Sequence, residues 1–142
     1  MQLFRHIAPL LLATLASVPA ASSEEGKQAL TMDLNAADTI GEACRLTFVL
    51  TNGLEADIDR LVYETVLFSD QGRVLLLTLF DFGSLPVGRP RVRQFQVPDT
   101  TCDRIGSVLI NGADTCDGTG LAPGLCETAL ETRSLSGIEI GG

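Results

Sequence analysis

Apolar and polar residues alternate along much of the chain with a period of two, which is typical of half-buried β-strands. The clearest case is residues 43–51, where Cys44, Leu46, Phe48 and Leu50 share one face and polar residues dominate the other. Further strands are predicted at residues 29–34, 59–68, 73–82, 91–97, 104–110 and 136–140.

Turn signals separate these segments, and no long helical period lies beyond the N-terminal residues. Residues 124–133 are compatible with one short helical turn. The pattern therefore predicts an all-β protein, with a single antiparallel β-sandwich of immunoglobulin-like type and about seven strands. A small closed barrel is the alternative.

The N-terminal residues predict a secretory signal peptide, residues 1–20. Arg5 precedes an apolar run at residues 7–18, and small residues lead to a cleavage site near Ala20. The run is shorter than the ~20 residues that a bilayer-spanning helix needs. We therefore expect export to the periplasm, no membrane span in the mature form, a flexible lead-in over residues 21–30 and a β-sandwich domain over residues 31–142.

Charge and composition exclude several classes of function. The chain has 10 basic and 18 acidic residues, which give a net charge of −8. Such a protein is repelled by nucleic acid and by anionic membrane surfaces. The sole histidine, His6, lies in the predicted signal peptide, so histidine-dependent nucleophilic catalysis is excluded after cleavage. We expect no cofactor and no metal. Asp114 and Asp117 could offer oxygen ligands to calcium, but the calcium-loop pattern is absent.

The four cysteines predict two disulfides, because their number is even and the chain is expected to be exported. Cys102 and Cys116 flank the predicted strand at residues 104–110, which would span about 23 Å. Bonded cysteines have Cα atoms only about 5.5 Å apart, so that pairing is disfavoured. We therefore favour Cys44–Cys102 together with Cys116–Cys126.

Four segments carry a family resemblance: CRLTFVLTN, ETVLF, LTLFDFGSLPVGRPRVRQF and VLING. Together they resemble a group of small exported proteins of alphaproteobacteria that have no assigned function. The likeness covers about residues 42–112, and the strand order is similar to that of extracytoplasmic immunoglobulin-like modules. The resemblance implies a fold and a compartment, and it implies no ligand or catalytic residue.

Three arginines, Arg89, Arg91 and Arg93, stand at every second position of this acidic chain. We favour the hypothesis that Arg91 or Arg93 forms an ion pair with Glu64 or Asp81, because Glu64 has apolar neighbours on its strand and a buried carboxylate needs a cation. Arg89 is expected to be exposed. The alternative is an exposed strip whose guanidinium groups bind a carboxylate-bearing partner.

The alternation in residues 91–97 bears on this choice. Arg91 and Arg93 share parity with Phe95 and Val97, so a regular strand would place charged and apolar groups on one face. A β-bulge or a late strand start near Arg93 would separate them. A regular strand at a sheet edge would instead favour the exposed strip.

The segment at residues 74–80 is apolar on both faces. Leu75, Leu77 and Leu79 alternate with Val74, Leu76 and Phe80. We favour the hypothesis that the Cys116–Cys126 segment covers the outer face, and an exposed patch that contacts another protein or a second copy is the alternative.

The sequence thus predicts an exported, non-enzymatic protein-interaction module with a protein partner in the cell envelope. It would bind through the arginine strand or through the apolar strand surface. The competing function is a hydrolase that uses carboxylates alone on cell-envelope glycan.

Overall fold

The computed structural model describes residues 27–142, and the predicted signal peptide lies outside the described residues. Eight strands follow one another along the chain: β1 (Leu30–Ile40), β2 (Ala43–Asn52), β3 (Ile58–Phe68), β4 (Val74–Leu85), β5 (Arg91–Val97), β6 (Ser107–Asp117), β7 (Leu130–Ser134) and β8 (Glu139–Gly141). A 3₁₀ turn (Cys102–Arg104) precedes β6, and a short helix α1 (Leu125–Thr128) precedes β7.

The strands form two four-stranded sheets, which confirms the predicted all-β sandwich. Sheet A has the order β5-β2-β1-β7, and sheet B has the order β4-β3-β6-β8. The sandwich contains eight strands rather than about seven, and it is not wholly antiparallel. β7 pairs with β1, and β8 with β6, in parallel. Both parallel pairs involve the C-terminal segment, which adds one strand to each sheet.

Alternate residues of the inner strands build the core. The fully buried side chains include Met32, Phe48, Leu61 and Leu67, and the largest of the fully buried side chains is that of Tyr63. This one-sided burial is what an alternating pattern produces when two sheets pack face to face.

Aromatic rings join the two sheets near β4. Phe48 of sheet A makes edge-to-face contacts with Phe80 and Phe82 of sheet B, at centroid distances of 6.1 and 5.5 Å. Phe95 of β5 stacks on Phe80 at 4.1 Å. These contacts fix β4 and β5 on the same side of the sandwich.

Two strands are longer than the sequence indicates. In each, a β-bulge accommodates extra residues, so the strand continues through a segment whose sequence is typical of a turn. β6 continues to Asp117, and its register with β3 leaves Asn111 and Asp114 without a directly opposed residue. The Asn-Gly pair at residues 111–112 is therefore part of a strand and does not form a turn. β1 likewise passes an irregularity between Leu34 and Ala36.

Both disulfides have the expected pairing. Cys44–Cys102 joins β2 to the 3₁₀ turn, with a Cα–Cα distance of 4.8 Å, and Cys116–Cys126 joins β6 to α1, at 6.2 Å. Cys102 does not open a strand, because β6 begins only at Ser107. The long bridge therefore fastens sheet A to the connection that leads to sheet B.

Asn52, at the end of β2, organises the loop that crosses to β3. Its side chain is fully buried. The Asn52 amide donates to the carbonyl oxygens of Ala56 and Leu85, and its oxygen accepts a hydrogen bond from the backbone N–H of Leu54. All its polar atoms are thus paired, as a buried amide requires.

Candidate functional site

The arginine strand is regular and lies at the edge of sheet A. In the register with β2, Arg91 is opposite Leu50 and Arg93 is opposite Phe48, without a bulge. Both opposed residues point into the core, so the two arginines leave β5 on its inward side. This position at an edge lets their guanidinium groups reach toward sheet B.

Arg93 uses that reach to bridge the sheets. Its Nε donates to the carbonyl oxygen of Phe82 at 2.7 Å, and its Nη2 donates to that of Ser84 at 3.3 Å. Both acceptors belong to β4, the edge strand of sheet B. Arg93 therefore satisfies edge carbonyls of a neighbouring sheet, a role that the spacing of the arginines does not indicate.

The expected ion pairs with Glu64 and Asp81 are not formed, which corrects the favoured hypothesis. Asp81 pairs with Arg60 of β3 at 2.9 Å. Glu64 is half-buried and accepts a hydrogen bond from the Asn111 side chain. Arg60 and Asn111 reach these carboxylates only through the register of β3 with β4 and with β6, so the sequence alone could not identify them.

Asp81 is held in its ionised form. The backbone N–H of Gly83 hydrogen-bonds to it at 2.9 Å, and this bond, followed by the bond from Arg60, lowers the pKa of the Asp81 carboxyl. A general acid needs a raised pKa, so this environment does not suit Asp81 to proton donation.

Arg89 and Arg91 complete a cationic corner beside β4. Arg89 is exposed and Arg91 is half-buried. Arg91 donates to the neighbouring carbonyl of Pro90 at 3.2 Å. Within residues 27–142, neither guanidinium forms an ion pair. We use "the arginine corner" for Arg89, Arg91 and Arg93.

The outer side of sheet B carries apolar, partly exposed side chains around the charged residue Glu64, which lies opposite Leu79. Val74, Leu77 and Leu79 of β4 have exposed fractions of 61%, 57% and 52%. The register places Leu77 beside Val66 of β3, which in turn pairs with Leu109 of β6. We call this surface the apolar face: Val62, Val66, Phe68, Val74, Leu77, Leu79 and Leu109.

The Cys116–Cys126 segment does not cover this face, which corrects the second favoured hypothesis. Leu121 and Leu125 of that segment pack against the core instead. Leu121 also lies close to Gly118, near the loop that precedes β3. The segment closes one end of the sandwich and leaves β4 open.

The outer side of sheet A has the opposite character. Arg133 pairs with Asp33 at 2.7 Å, and Arg45 approaches Asp38 at 3.7 Å. Gln94 donates a side-chain hydrogen bond to Thr47. Charged and polar side chains thus dominate the outer side of sheet A, where Val92 is an exposed apolar residue, and three exposed apolar side chains lie together on β4 of sheet B.

β4 also offers an unpaired strand edge. In sheet B it is hydrogen-bonded to β3 alone. Arg93 occupies two carbonyls near its C-terminal end, and in the part of the chain that the structure describes no strand pairs with residues 74–80 on the other side. Exposed N–H and C=O groups in such a row are a template for another strand.

No cluster of three or more histidine, cysteine or acidic side chains within residues 27–142 is arranged to hold a metal ion. None of the helices in the same range is both long and apolar enough to cross a membrane.

Fold and site together define a disulfide-bonded β-sandwich with one apolar outer face and an open edge strand. A solved structure of similar fold is that of IrmA from Escherichia coli, with a TM-score of 0.60 and 15% sequence identity over 73% of this chain and 90% of that one. At this identity the likeness shows the fold alone. No family model and no curated protein matches the sequence.

Proposed function

We propose that this protein is a non-enzymatic protein-interaction module of the periplasm, which binds a protein partner in the cell envelope through the apolar face. One observation carries the proposal: Val74, Leu77 and Leu79 lie exposed together on a strand whose outer edge is unpaired. Two disulfides support an exported, oxidising environment. The resemblance to small exported proteins of alphaproteobacteria supports the periplasm.

An open apolar edge carries a cost that a partner would remove. A long, hydrophobic edge strand invites aggregation, and natural sheets usually protect such edges with charges, prolines or bulges. Residues 74–80 contain no charged residue and no proline. Full burial of a leucine side chain contributes about 1.5–3 kcal/mol, so covering the exposed half of Leu77 or Leu79 would contribute about 1 kcal/mol each.

Site-specific photocrosslinking in periplasmic extract tests the proposal. A photoreactive residue replaces Leu77 or Leu79 on the apolar face, or Val49 on the outer side of sheet A as the matched control. Because Leu77 and Leu79 point to the same side, we expect the same protein to be crosslinked from both positions and not from Val49.

The crosslinked protein is then purified and its affinity is measured. Leu77→Lys and Leu79→Lys should each weaken binding, since each introduces a charge where apolar surface is covered. Equal crosslinking from Val49, or unchanged affinity in both lysine variants, would overturn the proposal.

No observation favours the hydrolase as a second function. The two carboxylates that the sequence singles out, Glu64 and Asp81, are already engaged: Asp81 pairs with Arg60, and Glu64 accepts a hydrogen bond from Asn111.

A further inference from the structure

We infer that the partner contributes an extended segment that pairs with the free edge of β4 and carries a carboxylate at the end beside the arginine corner. The inference rests on the proposed function and specifies the binding mode and the chemistry of the partner. Three features support it: the length of open edge, the charge at each end of β4, and the position of β5.

The open part of the edge has a defined length. Among residues 27–142 no strand pairs with residues 74–80 on one side, and at ~3.3 Å per residue these seven residues span about 23 Å. Beyond them, the Arg93 guanidinium occupies the carbonyl oxygens of Phe82 and Ser84. An added strand can therefore pair along residues 74–80 and must end where Arg93 begins.

The two ends of this edge differ in charge. Near the start of β4, a shallow depression is lined by Arg73 and Arg104 and also by Asp70 and Asp103, so its charges balance.

At the far end stand Arg89, Arg91 and Arg93. Of the nearby carboxylates, Asp81 is paired with Arg60, and Asp57 accepts a hydrogen bond from the backbone N–H of Val87. Among the described residues, no carboxylate forms an ion pair with the arginine corner. A chain of net charge −8 thus presents a local excess of positive charge here. A strand that ends in a carboxylate complements it.

The position of β5 places these arginines just past the end of the incoming strand. Phe80 of β4 packs against Phe48 of β2 and also stacks on Phe95 of β5, so β4 lies under both strands. β5 is the outer one of the two in sheet A. A strand added outside β4 would therefore run below the inward side of β5 as far as Phe95, and Arg93 and then Arg91 project from β5 beyond its end.

A display library of random peptides tests the inference directly. The peptides have about seven residues, which is the length of the open edge. The intact protein is used as bait in three forms: wild type, Arg91→Glu, and Lys27→Glu. Lys27 pairs with Glu131 of β7, in the sheet position farthest from β5, so its variant makes the same change in net charge away from β4.

Wild type and Lys27→Glu should enrich peptides that alternate apolar and polar residues and have Asp or Glu at one end. Arg91→Glu should reverse this preference severalfold toward Lys or Arg at the same end. Enriched peptides without an acidic end, an unchanged preference in Arg91→Glu, or no enrichment at all would each overturn the inference.

A second measurement tests whether the free edge of β4 is occupied by a second copy of this chain and not by another protein. If sedimentation shows a dimer that Leu77→Lys converts to a monomer, β4 pairs with itself and the inference is wrong. The photocrosslinking at Leu77 and Leu79 is independent of the acidic preference. If a partner is crosslinked at these positions but the peptide library shows no preference for an acidic end, the proposed function stands and only the inferred binding mode is wrong.

Discussion

Replacing Arg93 by methionine should lower the free energy of unfolding by about 1–3 kcal/mol. A hydrogen bond from a charged donor contributes about 1.5–3 kcal/mol. The bond to the Phe82 carbonyl is short, at 2.7 Å, and partly buried. The bond to Ser84, at 3.3 Å, is longer and exposed and adds little. Methionine keeps most of the apolar stem, so the loss measures the hydrogen bonds that join the two sheets.

Equilibrium urea unfolding provides the assay, with Arg89→Met as the matched control. Arg89 is exposed and forms no ion pair with any residue from 27 to 142, so its replacement should change the free energy of unfolding by less than about 0.5 kcal/mol. Equal stability of the Arg93→Met and Arg89→Met proteins would refute the reasoning, because it would mean that the bridge contributes nothing.

Two further predictions concern stability. Burial, and secondarily the charge of Glu127, raises the pKa of Tyr63 above its ordinary value of 10.0. Only the unfolded chain then releases the phenolic proton, so the free energy of unfolding should fall by about 1.4 kcal/mol per pH unit above pH ~10, and not in Tyr63→Phe. Tyr63 is the chain's only tyrosine, so ultraviolet titration in the folded and urea-unfolded states checks the shift. Removing Cys44–Cys102 should cost more stability than removing Cys116–Cys126, because the sequence separations are 58 and 10. The chain-entropy model gives about 4.2 and about 2.7 kcal/mol, which urea unfolding of the paired alanine variants measures.

The fold was predictable where burial is one-sided. The alternation through Leu46, Phe48 and Leu50 placed β2 almost to the residue. It was less predictable where a strand carries bulges, because Asn111 and Gly112 look like a turn and only pairing with β3 keeps them in β6. β7 was missed altogether. Its five residues alternate weakly, and parallel pairing with β1 determines its structure.

The candidate site was only half predictable. The sequence indicated the arginines and the apolar strand as alternative binding surfaces. Whether each is exposed or paired depends on which strands lie at the sheet edges. Arg93 finds carbonyl acceptors because β5 and β4 are both edge strands on one side of the sandwich. Asp81 finds Arg60 across the β3–β4 register. Neither relation is encoded within a single segment, so periodicity could not reveal it.

Binding of the crosslinked partner to two double variants tests the central claim most directly. Leu77→Lys with Leu79→Lys changes the apolar face, and Ile40→Lys with Leu135→Lys makes the same charge change at two exposed apolar positions outside that face. Loss of about 1 kcal/mol at each leucine predicts a dissociation constant raised roughly 30-fold for the first variant and little changed for the second. Equal affinities of the two double variants would contradict the account.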